Sequence, residues 1–138
     1  MRIKIGDYFL CQRTKFSNLY LEDNNGNKIK NNESKEIIKE YISQTQNPEE
    51  YFAIKNKKLF TVYDKELKYA FVPNGTEIIG ENAFVGCKKL INIVMPESVY
   101  EINDYAFAYC HNLRCAIIPD RVYMVNENIF KDCGDLIF

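Results

Sequence analysis

The sequence predicts an α+β chain built as a repeat solenoid. About three 23-residue units fill residues 67–138, and an α/β cap of strands, a hairpin and one helix fills residues 1–66. Three observations carry this. Prolines stand 23 residues apart, at Pro73, Pro96 and Pro119. Apolar residues recur in fixed columns between them. The period is not visible ahead of residue 67.

The columns are specific. Counted from each proline, the third residue is Thr76, Val99 or Val122, and the sixth is Ile79, Ile102 or Val125. The tenth and eleventh are Ala83-Phe84, Ala106-Phe107 and Ile129-Phe130. Cys87, Cys110 and Cys133 share one column, and Leu90, Leu113 and Leu136 another. A fixed period in the twenties marks stacked units that cannot bury their own apolar faces singly. The runs "LINIVMP" and "LRCAIIP" read as short strands ended by proline, which donates nothing to a ladder. The runs "ENAFVGC" and "DYAFAYC" read as single helical turns headed by an acidic or amide cap.

This pattern, Ile-Pro-x-x-Val-x-x-Ile-x-x-x-Ala-Phe-x-x-Cys-x-x-Leu, resembles the BspA-like, or Treponema-type, leucine-rich repeat. The resemblance spans residues 67–138. Thr76 stands where an aliphatic residue is usual, Ile129 replaces the alanine, and "CGDLIF" stops within a unit. The resemblance implies a curved solenoid with a parallel sheet on its concave side. It also implies binding to other proteins, often adhesion at cell surfaces, and no catalysis.

Elements of the first half follow from local pattern. "RIKIGDYFL" reads as strand, and "FSNLYLEDNNGNKIK" as a strand folding back at "DNNGN". "SKEIIKEYISQ" predicts an amphipathic helix capped by Ser34, with Ile37, Ile38, Tyr41 and Ile42 as its buried stripe. "NPEEYFAIKNKKLFTVYDKELKYAFVP" predicts a hairpin turning near Asp64-Lys65. Leu67, Ala70 and Val72 then enter the inward columns of the repeat. A stacked fold exposes apolar core at its end, so the first half is expected to cap it, the alternative being a separate small α/β domain with its own partner.

Composition narrows the function classes. Formal net charge is −1, which gives no footprint for direct nucleic-acid binding. The repeated half is acidic and the first half mildly basic. No apolar run suggests a leader or a membrane span, so a cytoplasmic location is expected. The cysteine column is expected to hold buried reduced thiols rather than disulfides or a metal. Glu81, Asp104 and Glu127 share a column just ahead of the helical turns, where capping is the expected role. No nucleophile with a base, phosphate loop or paired metal ligands occurs, so neither catalysis nor a cofactor or metal is expected.

One row points to function. The outward positions of the concave strands are Tyr69, Phe71, Asn92, Val94, Cys115, Ile117 and Phe138. A contiguous apolar row of this kind marks an interface, unless the first half folds over it or the strands are one residue out of register. The expected function is a protein-interaction module acting as an inhibitor or adaptor. One version is a mobile-element inhibitor of a host nuclease such as a CRISPR effector. The alternative is a fragment of a surface adhesin. The partner expected is another protein, or a second copy pairing through the C-terminal edge.

Overall fold

The computed structural model describes residues 1–13, 18–122, 126–134 and 136. The first half opens with β1 (Arg2–Ile5) and β2 (Tyr8–Cys11), which pair antiparallel with Ile5 opposite Tyr8. Gly6, at φ 57°, makes the two-residue turn between them, so "RIKIGDYFL" is two strands. The strands β3 (Tyr20–Glu22) and β4 (Lys28–Ile29) complete a sheet of order β1-β2-β3-β4. Their hairpin lies at "DNNGN" as expected. Asp23 accepts hydrogen bonds there from the backbone N–H groups of Asn25 at 2.8 Å and Asn27 at 2.9 Å.

Helix α1 (Asn32–Gln46) follows. Asn31, not Ser34, is its N-cap, and Ser34 returns the second bond of a capping box. The buried stripe runs through Ser34, Ile37 and Gln44, with Tyr41 half-buried between them. Ile42 lies off that stripe and is exposed, contrary to expectation, because steps of three and four residues from Ile37 reach Tyr41 and Gln44. A short α2 (Pro48–Tyr51) leads into β5 (Phe52–Lys55) and β6 (Lys58–Val62). These two form a hairpin whose turn is Asn56-Lys57, at φ 52° and 64°. The turn expected at Asp64-Lys65 is instead the corner that carries the chain from β6 to the next strand.

From β6 onward the chain winds in coils. One ladder contains β7 (Tyr69–Phe71), β9 (Asn92–Val94) and β11 (Cys115–Ile117) in parallel, with Ala70, Ile93 and Ala116 side by side. A second joins β6, β8 (Ile78–Ile79) and β10 (Glu101–Ile102), also in parallel. The stack therefore includes β6, ahead of residue 67. Between β8 and β9, and between β10 and β11, the chain forms hydrogen-bonded turns rather than helix. The third such segment is a 3-10 turn (Glu127–Phe130) capped by Asn126.

The columns pack as the period requires. Phe84 and Phe107 stack with ring centroids 5.0 Å apart, and Phe107 and Phe130 at 5.4 Å. Phe52 extends the row edge-on to Phe84 at 6.4 Å. Cys87 and Cys110 are buried free thiols, and Cys133 is half-buried. The Cys110 thiol donates to the Phe84 carbonyl at 3.1 Å and the Cys133 thiol to the Phe107 carbonyl at 3.0 Å. Each thiol is thereby tied to the preceding coil.

Candidate interaction face

Strand alternation divides the β7-β9-β11 ladder into two faces. Leu67, Ala70, Val72, Ile93, Met95 and Ala116 point into the repeat core. Tyr69, Phe71 and Val94 point the other way, as the repeat register predicts. Tyr69 and Phe71 do not meet solvent there, and Val94 meets it only in part. They join a second core with Ile5, Leu10, Leu21 and Ile37 of the first half.

Tyr69, Phe71 and Cys115 are only 2%, 4% and 6% exposed, which corrects the expectation of an open aromatic row. Helix α1 lies over β7, and β1 lies over β9 and β11. Tyr41 meets Phe71 edge to face at 5.2 Å. Burying Phe71 contributes roughly 1.5–3 kcal/mol, a gain that an exposed ring would forgo. The Tyr69 hydroxyl approaches the Glu33 carboxylate at 3.5 Å. Burial, then the charges of Glu33 and Glu36, push that hydroxyl up to about 12. Cys115, an outward position in the repeat register, is buried as well, and that burial pushes its thiol up.

Gln44 completes the cover. Its side chain is fully buried and forms two short bonds to β7. Its Nε2 donates to the Tyr69 carbonyl at 2.7 Å, and its Oε1 accepts from the Phe71 N–H at 2.7 Å. Those are the edge groups of β7 that face away from β9. One side-chain amide thus stands in for a neighbouring strand and closes the edge of the ladder. Sequence reasoning missed it. Two signals were available: a glutamine at stripe spacing, and the unbroken apolar run "YAFV", which fits a strand buried on both faces.

The cover leaves gaps. Asn92, Val94 and Ile117 remain half-buried. The β1–β2 turn sits over Asn92, and a Cβ at Gly6 would lie 3.3 Å from the Asn92 Oδ1. On one side of β1, Lys4, Asp7, Tyr8, Asn92, Arg114 and Ile117 line a cleft of about 390 Å³. On the other, Ile3, Tyr41, Phe71, Val94, Met95 and Ile117 line a cleft of about 690 Å³. Ile117 belongs to both. Phe138 lies outside the described residues.

A family model for the BspA type leucine rich repeat region matches residues 3–137, with six copies. The chain belongs to this family. The match is longer than the residues 67–138 on which the resemblance was visible, and its six copies exceed the three units expected. The β6 pairing explains part of the extension, since this BspA-type stack begins before the first regular proline. No curated protein and no solved structure matches the chain. Among the described residues, no cluster of histidine, cysteine and carboxylate side chains could hold a metal, and no helix is long and apolar enough to cross a membrane.

Proposed function

We propose that this BspA-type chain is a non-enzymatic protein-interaction module that holds a segment of a protein partner in the larger cleft beside β1. The observation that supports it is the half-buried apolar pair Val94 and Ile117. They line a cleft of 690 Å³ that the chain's own first half leaves open. They stand on the outer strand face of the repeat, and leucine-rich-repeat modules generally mediate protein binding. An occupant there buries apolar side chains and leaves the stack unchanged. Blocking or bridging a partner, as an inhibitor or adaptor does, requires only that occupancy.

The test places a photo-crosslinking residue at Ile117 and another at Lys88 as a control. Crosslinks to one defined protein from the 117 position alone, lost on Val94→Asp with the circular dichroism unchanged, support the reading. Equal labelling from both positions overturns it. Crosslinks to a second copy of the chain assign the cleft to self-association instead.

A further inference from the structure

The sheet of the first half ends in an open edge. β1 pairs with β2 and with no other strand among the described residues. In an antiparallel ladder, opposite residues alternate between bonded and non-bonded pairs. The Gln12 N–H donates to the Met1 carbonyl at 2.9 Å, which makes Met1 and Gln12 a bonded pair. Counted along the register, Ile3 and Ile5 also turn their backbone groups toward β2. Arg2 and Lys4 turn theirs away from it. Among the described residues, no hydrogen bond reaches the backbone N–H or carbonyl of either one, and both residues are exposed.

This edge borders the larger cleft. Arg2, Ile3 and Lys4 line it together with Phe71, Val94 and Ile117. Among the described residues, the charged side chains of its lining are Arg2, Lys4 and Glu97. Ile3 and Ile5 pack into the core of the first half, so alternation puts Arg2 and Lys4 together on the other face of the strand. The Arg2 guanidinium lies 3.5 Å from the centre of the Phe9 ring and 3.9 Å from the Glu22 carboxylate. Lys4 takes part in none of the ion pairs among the described residues.

We infer that the open edge of β1 takes an extended segment of a protein partner as a further antiparallel strand, one that alternates acidic with apolar residues. The occupant is the segment already proposed for the larger cleft, so this assignment rests on that reading. Free N–H and carbonyl groups two residues apart pair with another backbone, and pockets beside the edge select alternate side chains. The residues bonded to Arg2 and Lys4 stand directly opposite them on the same face, where a carboxylate meets a cation. The residues between turn inward, toward Ile3 and the apolar side chains of Val94 and Ile117. A second copy is a poor occupant. Paired through this edge, it would set its own Lys4 opposite Arg2 and its own Arg2 opposite Lys4. Like charges directly opposite destabilise a ladder.

A fluorescent, end-capped octapeptide of Glu-Val repeats tests this by anisotropy on the full chain. Saturable binding is expected. N-methylation of its glutamates removes the N–H groups that bond β1 and is expected to weaken binding about tenfold or more. N-methylation of its valines blocks only the solvent edge and leaves affinity within about twofold. The double variant Arg2→Glu and Lys4→Glu is expected to lose this peptide and to bind a Lys-Val octapeptide instead, with circular dichroism unchanged. Equal affinity of the three Glu-Val peptides overturns the strand pairing; if Val94→Asp still abolishes their binding, the cleft reading survives that result. Absence of saturable binding at low salt overturns the inference too, and crosslinking from Ile117 then decides the cleft by itself. Equally tight binding of the Lys-Val peptide to the parent chain overturns the charge pattern. Sedimentation of the parent chain as a dimer that the Glu-Val peptide dissociates overturns the inference in favour of a second copy.

Discussion

At the residue scale, Gln44 carries more of the fold than its type suggests. It satisfies one buried carbonyl and one buried N–H that no strand reaches. Leaving a buried polar group unpaired costs about 1–3 kcal/mol. Gln44→Leu is therefore expected to destabilise the chain by about 2–5 kcal/mol in urea denaturation, although leucine is the more apolar residue. A change under about 0.5 kcal/mol would mean that the amide is dispensable. The thiols follow from position in the same way. Cys133 is the least buried of the five and is expected to react first with a thiol reagent in the native protein. Cys110 is expected to react last. It is fully buried, and the adjoining thiols of Cys133 and Cys87 together with that burial raise its pKa. Trapping the modified protein and mapping the label by mass spectrometry checks the order.

At the element scale, β7 separates what the sequence could reveal from what it could not. The 23-residue columns disclosed the ladder, its register and the phenylalanine stack, because stacking repeats the same contact at the same interval. Phe107→Ala is accordingly expected to cost about 3–5 kcal/mol, since it opens a void between two stacked rings. A melting temperature near that of the parent chain would refute the register. What covers the outer face of β7 has no period. It depends on where a helix from another part of the chain docks, and no local pattern encodes that. The apolar side chains of Tyr69 and Phe71 announced only that something must cover them. Phe71→Asp is now expected to unfold the protein, with loss of its far-ultraviolet signal, because the carboxylate would enter a closed core beside Tyr41 and Ile37. The β5–β6 turn was misplaced for a local reason: Asn56-Lys57 lacks glycine yet takes the left-handed conformation at both positions.

At the scale of the whole molecule, the two halves bury each other's apolar surface rather than standing as a binding domain and a plain end cap. The first half lies across the strand face and leaves clefts on either side of β1. The partner surface proposed under function is what remains of that face: the clefts beside β1. The closed core also sets an alkaline limit on stability. The Tyr69 hydroxyl ionises near 10 in an unfolded chain and is pushed up to about 12 in the fold. The fold therefore favours the neutral form. That contribution is complete below pH 10 and is lost as pH rises from 10 to 12. Thermal melts across that range are expected to decline more steeply for the parent chain than for Tyr69→Phe. Parallel curves would show that another group sets the limit.

The bond from Phe71 to Gln44 makes two adjacent amides sensitive to different events. The Phe71 N–H is held by a helix side chain, whereas the Val72 N–H is held by the Val94 carbonyl of the next strand. Undocking of α1 alone would release the first to deuterium and spare the second. β7 is buried on both sides and belongs to both cores, so the two are expected to open together. The two amides are thus expected to exchange with the same free energy of opening, that of the whole chain.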